Sequence, residues 1–163
     1  MTGAEAALEA LCELAESFDL PYTRSNKGHQ IQLVARVRGE RYLLLASVQE
    51  QGALIDFRTG LIPQSRLEGR DWVIRELLEL NSNLKLGSMG IDSGTGDCVL
   101  RISVLTGLRY LTARELRLVL ATLNWVVEEL ESRLLPRLPV GETLQQLLPR
   151  SEERRVGKEC RSR

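Results

Sequence analysis

The residues of this sequence most suited to chemistry form a glycine-rich segment near its middle. Gly87, Gly90, Gly94 and Gly96 lie within ten positions, with serine and threonine hydroxyls among them. A phosphate-binding loop needs free N–H groups and a helix N-terminus directly after it. Here the next residues, DCVLRISV, alternate as in a strand, and no G-K-[ST] motif follows. We therefore predict a β-hairpin turn at residues 92–97, and a small enzyme that binds a nucleotide or ligand at residues 87–96 remains the alternative.

Other reactive side chains do not form a recognisable catalytic set. The single histidine, His29, follows a Lys-Gly turn, and Cys12 and Cys98 lie in apolar patterns typical of reduced core cysteines. Asp92 and Asp97 flank the predicted turn without a complete calcium-loop pattern. We expect no catalytic residue, no metal site and no cofactor, so that the protein is not an enzyme.

The last fourteen residues, 150–163, differ from the rest of the chain. Their sequence, RSEERRVGKECRSR, has no apolar periodicity and resembles the in-frame translation of a sequencing adapter. We predict that this tail is non-native and disordered, and that residues 1–149 form one domain; a native basic tail is the alternative. The tail holds six basic and three acidic side chains, which leaves 16 basic and 19 acidic in residues 1–149, a net charge of about −3. An acidic domain argues against a nucleic-acid partner.

The N-terminal residues also bear on location. MTGAEAALEALCELAESF carries acidic side chains where a signal peptide has basic ones, and no apolar run is long enough to cross a bilayer. We expect a cytoplasmic protein without a membrane partner.

The order of predicted elements indicates the fold class. Two capping boxes, Thr2 with Glu5 and Thr112 with Glu115, precede apolar residues at helical spacing, and Asp71 is the predicted cap of a third helix. The predicted helices cover residues 4–18, 71–81 and 113–134, with strands at 30–37, 42–48, 53–59, 84–91 and 98–105, and a short amphipathic turn at 142–148. The order α-β-β-β-α-β-β-α predicts an α+β fold with helices packed on an antiparallel sheet.

Four apolar side chains are candidates for a protein-interaction surface. Trp72 and Trp125 lie off the densest part of their helical stripes, and Val34 and Leu44 are predicted on the outer face of their strands. Aromatic anchors are enriched at interfaces, but the favoured interpretation is that both tryptophans complete the core. An apolar residue on the second face of a sheet indicates that this face is covered, either by another element of the chain or by a second subunit.

The middle of the chain resembles a known family. The segment LLELNSNLKLGSMGIDSGTGDCVLRISV followed by LTARELRLVLATLNWVVEELE is similar to the YbjN family, described as proposed bacterial sensory transduction regulators. The matching features are Leu80-Asn81, Leu86-Gly87, Ile91-Asp92 and the Thr112–Glu115 helix start.

The resemblance implies the type III secretion chaperone-like fold and a non-catalytic, homodimeric domain that binds or regulates proteins. The partner is an unidentified protein. The alternative function is a secretion-type chaperone that binds a segment of a client protein; the weak acidity of residues 1–149 departs from such chaperones.

Overall fold

The computed structural model describes residues 2–137, which form four α-helices and six β-strands. The elements, in chain order, are α1 (Gly3–Ser17), β1 (Tyr22–Arg24), β2 (Gln30–Val37), β3 (Glu40–Gln49), β4 (Leu54–Ile62), α2 (Gln64–Leu67), α3 (Asp71–Ser82), β5 (Ser88–Ile91), β6 (Cys98–Leu105) and α4 (Ala113–Leu134), with 3₁₀ turns at Glu50–Gly52 and Leu135–Arg137.

The strands form one antiparallel sheet in the order β1-β2-β3-β4-β6-β5. A two-residue turn joins β2 to β3, with positive φ at Arg38 (52°) and Gly39 (83°). Positive φ at both central residues gives the turn a twist that matches the strands, and it fixes Leu33 opposite Leu44. The α+β fold predicted from the element order is confirmed.

The long helices α1, α3 and α4 pack with one face of the sheet into a single apolar core. Phe57 and Ile102 lie opposite each other on β4 and β6, and both are almost fully buried within it. On α4 the residues directed into the core recur at helical spacing: Leu116, Val119, Leu123, Val126, Val127, Leu130 and Leu134. The other face of the sheet, which we call the outer face, has no helix packed on it among residues 2–137.

Both predicted capping boxes are present. The Thr2 hydroxyl accepts from the Glu5 N–H at 3.2 Å, and the Thr112 hydroxyl accepts from the Glu115 N–H at the same distance. In each pair the glutamate accepts in turn from the threonine N–H. These bonds satisfy N–H groups that a helix start otherwise leaves free.

The predicted cap of α3 is wrong. Arg70 occupies the cap position, and Asp71 is the first helical residue, with no side-chain cap bond. The short helix α2 ends in a tight turn, in which the Arg70 N–H donates to the Leu67 carbonyl, so α3 begins directly after this turn. The Asp71 carboxylate still lies in the first turn, where negative charge is favourable.

Two short elements were not expected from the sequence. Strand β1 has three residues, and α2 has four, so neither is long enough to show a periodic apolar pattern. The predicted turn at residues 142–148 lies outside the described residues, as does the tail at 150–163.

Candidate functional site

The glycine-rich segment is a hairpin, as predicted. Strands β5 and β6 pair from Ser88 opposite Arg101 to Ile91 opposite Cys98. In the turn between them, the Asp92 carboxylate accepts from the N–H groups of Gly94 at 2.7 Å and Thr95 at 3.2 Å. These N–H groups are the ones a phosphate would need, and a carboxylate of the same loop already binds them.

Gly87 is required by a close approach of two chain segments. Its φ is +81°, and a Cβ at this position would lie 2.5 Å from the Arg101 carbonyl oxygen. Strand β5 therefore begins one residue later than Gly87, and residues 84–87, predicted as strand, form a bend. Gly90 has neither feature, since a Cβ there would meet nothing within 4 Å.

The buried thiols are poor nucleophiles. Burial raises the pKa of Cys12, and burial with the nearby Asp97 carboxylate raises the pKa of Cys98 to about 12. A thiol with a raised pKa holds its proton at neutral pH, and the thiolate is the reactive form. Within residues 2–137, no group of three or more His, Cys, Asp or Glu side chains could hold a metal ion.

The strongest candidate for a binding site is an apolar groove of about 500 Å³ beside Trp125. One wall is the bend after α3, and the other is the exposed side of α4. Leu118 is 50% exposed on that wall, and Trp125 is half-buried. Among residues 2–137, Lys85 is the only charged side chain in the lining, which consists there of Asn83, Leu84, Lys85, Leu86, Leu118, Ala121, Thr122 and Trp125. We call this site the Trp125 groove.

The bend that forms the first wall is held by a side chain at the end of α3. The amide oxygen of Asn81 accepts from the Met89 N–H at 2.9 Å, on the free edge of β5. This bond satisfies an edge N–H and ties α3 to β5 across the bend. Asn81 therefore sets the position of Leu84 and Leu86 relative to α4.

The line of contact between α3 and α4, which we call the seam, is charged at one end and apolar at the other. At one end Arg133 lies 3.4 Å from Glu76 and 3.8 Å from Glu79, so charged side chains close the seam. Asn83 directly follows α3, four residues after Glu79, and Trp125 lies eight residues before Arg133 on α4, so both lie about one to two turns further along the two helices. The Trp125 groove is therefore the open, apolar end of this seam.

Trp72 lies at the closed end of the seam. Its ring is half-buried against the core, and the Arg137 guanidinium lies over it with Cζ 4.8 Å from the ring centroid. Arg137 also donates to Glu76 at 2.5 Å. Trp72 is thus covered by a cation, whereas Trp125 faces an open groove.

The two strand residues predicted on the outer face, Val34 and Leu44, lie on opposite faces of the sheet. Val34 lies on the outer face, as predicted, and is only 6% exposed. Leu44 lies opposite Leu33 on the helix-covered face and is 1% exposed, so its predicted outer position is wrong. The physical reason is the register: the two-residue turn pairs Val37 with Glu40, which directs even-numbered side chains of β3 towards the core.

A buried carboxylate on the outer face was also missed. Asp56 is 6% exposed, and it accepts from Arg101 Nε at 2.9 and 3.0 Å and from the Ser103 hydroxyl at 2.6 Å. An aspartate inside an apolar strand pattern was the available signal. For the Trp125 groove, Trp125 itself was a predicted candidate, and a second available signal was Leu118, an apolar residue off the core stripe of its helix.

No model of a known protein family matches the sequence, and no similar sequence is found among curated proteins. Solved structures do match: the fold is that of an α+β domain of the YbjN type. The structure of YbjN from E. coli, described as a proposed transcription regulator, matches with a TM-score of 0.57 at 10% identity, over 81% of this chain and 96% of that chain. The HopA1–SchA chaperone–effector complex matches with a TM-score of 0.49 at 17% identity, over 74% of this chain and 90% of that chain.

The expected resemblance to YbjN is confirmed for the fold. At 10% identity, the match shows a shared fold and does not show a shared function. In residues 2–137, no helix combines the length and the apolar character needed to cross a bilayer.

Proposed function

We propose that this protein is a non-catalytic, cytoplasmic protein-binding and regulatory domain of the YbjN type. Its partner places an apolar segment in the Trp125 groove. The observation that carries the proposal is the combination in one groove of an exposed leucine, Leu118, and a half-buried tryptophan, with a single charge, Lys85, among the described lining residues.

The chemistry of the groove favours a peptide segment over a small polar ligand. Tryptophan is among the residues that contribute most at interfaces, since it buries a large area and loses little conformational freedom. The exposed surface of the lining is mostly apolar, so specificity comes mainly from shape and from apolar contact. Lys85 at the rim favours an acidic residue beside the apolar ones.

The alternative function, a secretion-type chaperone, would place a client segment in the same groove. The two functions differ in the partner, which is a regulatory protein in one case and an exported protein in the other. A nucleotide- or ligand-binding enzyme using residues 87–96 is disfavoured, because Asp92 already accepts from the N–H groups of the turn.

We also propose a homodimer through the outer face of the sheet. Val34 and Leu43 lie opposite each other there, and Leu45 extends the apolar patch along β3. Asp56 and Arg101 lie on the same face, so the surface offers apolar side chains and both signs of charge. Such a surface is able to pair with itself across a twofold axis.

Light scattering after size exclusion tests the dimer. The 163-residue chain should elute with twice the chain mass, and Leu43→Glu should reduce it to the chain mass. Leu78→Glu, at an exposed leucine on α3, is the matched control and should leave the dimer intact. A wild-type protein that is monomeric at all accessible concentrations would rule the dimer out.

A peptide selection tests the groove. Randomised peptides displayed on phage are selected against the protein, and enriched sequences should carry apolar residues with an acidic neighbour. Leu118→Asp should weaken their binding at least about tenfold, the equivalent of about 1.4 kcal/mol. Leu108→Asp, at a fully exposed leucine outside the groove, should leave it unchanged. Equal binding to both variants would exclude the groove as the site.

A further inference from the structure

We propose that a polar hollow on the outer face of the sheet binds a small molecule through its phosphate group. Such a ligand lies outside the proposed function, whose partner is a protein. The hollow has a volume of about 430 Å³, and its lining includes Arg58, Ser88, Gly90, Val99 and Arg101. Sites for small molecules have volumes of this order. We call this site the Arg101 hollow.

The pairing of three strands brings the polar side chains of the hollow together. Arg58 on β4 lies opposite Arg101 on β6, and Ser88 on β5 lies opposite Arg101 on its other side. Side chains directly opposite each other in a sheet have Cβ atoms about 4.5–5.5 Å apart. Two guanidinium groups and a hydroxyl therefore share one row of the outer face.

The hollow is open because two glycines occupy the next row of this face. Val99 on β6 lies between Gly60 on β4 and Gly90 on β5. Neither glycine has a positive φ, and a Cβ at either position would meet nothing within 4 Å. The backbone does not require glycine here, and glycine weakens the interior of a strand. The consequence of the two glycines is the space beside Arg58 and Arg101.

Arg101 is held in place by a buried carboxylate. Asp56 is almost fully buried, and it accepts from Arg101 Nε at 2.9 and 3.0 Å and from the Ser103 hydroxyl at 2.6 Å. A buried carboxylate is costly unless such partners satisfy it. Both bonds from Arg101 use Nε, and its side chain is 57% exposed, so its two terminal nitrogens are left to donate to a ligand.

Arg58 is held by the turn between β5 and β6. Its guanidinium forms an ion pair with Asp92, whose carboxylate also accepts from the N–H groups of Gly94 and Thr95. Asp92 itself belongs to the lining of the hollow. The donors available to a ligand are therefore side chains of the sheet, and not the N–H groups of the turn.

These donors suit a phosphate group. Guanidinium groups directly opposite each other repel, and an anion bound between them relieves this repulsion. Arginine binds the oxygens of phosphate and carboxylate in pairs. Two arginines, with the hydroxyls of Ser88 and Ser93 in the lining, match the three terminal oxygens of a phosphate monoester better than the two of a carboxylate. Because Asp56 and Asp92 balance the two positive charges, we expect free phosphate to bind weakly.

A nuclear magnetic resonance titration of the ¹⁵N-labelled 163-residue chain with inorganic phosphate, at constant ionic strength, tests the hollow. The amide signals of Val99 and Arg101 should shift saturably. Gly90→Val fills the hollow with a side chain that suits a strand and leaves every charge in place, so it should abolish these shifts.

A second variant tests the arginine fork without leaving Asp56 unpaired. Arg101→Lys keeps the positive charge and should weaken phosphate binding at least about tenfold, the loss of one hydrogen bond to a charged group. Arg36→Lys is the matched control, because Arg36 also lies opposite an arginine, Arg41, but outside the lining of the hollow. It should leave phosphate binding unchanged.

The proposal is overturned if phosphate causes no saturable shift, or if Gly90→Val binds phosphate as the wild type does. Equal affinity in Arg101→Lys and Arg36→Lys would also overturn it. Phosphoserine and a glycine-flanked phosphoserine peptide then distinguish a small molecule from a modified protein. Equal affinity for the two supports a small molecule, and tighter binding of the peptide contradicts it. These results are independent of the effect of Leu118→Asp on peptide binding, which decides the proposed function.

Discussion

The two tryptophans of this protein occupy opposite ends of one seam and differ in what lies over them. Trp72 is covered by the Arg137 guanidinium, and ion pairs from Arg133 close the seam beside it. Trp125 faces a groove with Leu118 exposed next to it. The two tryptophans therefore serve different purposes. The end of the seam at Trp72 stabilises the packing of α3 on α4, and the end at Trp125 leaves an apolar surface for a partner.

The largest effect should separate the two sides of α4. Leu130 is fully buried in the core, so Leu130→Ala should lower the free energy of unfolding by about 2–5 kcal/mol. Leu118 is 50% exposed in the groove, and Leu118→Ala should change the free energy of unfolding by about 0.5 kcal/mol or less. Urea denaturation measures both. A large loss for Leu118→Ala would make the groove part of the core.

The next effect concerns the wall of the groove formed by the bend after α3. Gly87→Ala should cost about 1–3 kcal/mol, because φ is +81° and the new methyl would meet the Arg101 carbonyl oxygen. Gly90→Ala, in the adjoining strand with open space around it, is the matched control and should cost less than about 1 kcal/mol. Equal losses on thermal denaturation would contradict the close approach at Gly87.

A smaller effect should appear at the start of α4, the helix that carries the second wall. The Arg109 guanidinium, with the Thr112 bonds, lowers the pKa of Glu115 to about 2. Because this folded-state pKa is below the unfolded value, the pair stabilises the protein above about pH 4.5, and this contribution is lost as the pH falls towards 2.

Its size should be small, since Arg109 is half-exposed and solvent screens the pair. Glu115→Gln keeps a side chain that can complete the capping box, and it should flatten the pH dependence of stability in this range. An unchanged profile in this variant would exclude Glu115 as the source.

The smallest effect should appear at the closed end of the seam. Arg137→Ala removes the cation over Trp72 and should cost about 0.5–1 kcal/mol. Trp72 emission should move to longer wavelength in a Trp125→Phe background. The contrast between the two tryptophans would be lost if Arg137→Ala left the environment of Trp72 unchanged.

Much of the fold follows from local signals in the sequence. Both capping boxes and the hairpin at residues 92–97 depend on neighbours within a few positions, and the pattern predicts them correctly. The face of Leu44 was also accessible, since the turn at Arg38-Gly39 fixes the register that directs it inward. Alternation alone did not decide which face of the sheet Leu44 occupies, because Leu43, Leu44 and Leu45 are all apolar.

The candidate site, in contrast to the fold, depends mainly on contacts between residues far apart in the sequence. The Trp125 groove depends on Asn81, which binds the Met89 N–H and sets the bend against α4. That contact and the distance from the bend to Trp125 arise from tertiary packing, which no spacing in the sequence encodes. In the sequence, the predicted interaction residue Trp125 pointed to this surface, and the apolar Leu118, away from the core stripe, was a further signal.

The central claim is that the Trp125 groove binds an apolar protein segment. The most direct test titrates a selected peptide into the Trp72→Phe protein and follows Trp125 emission. Trp125 emission should show a saturable shift to shorter wavelength, and this shift should be absent in the same protein with Leu118→Asp. Binding of the peptide with no change in Trp125 emission would contradict the central claim.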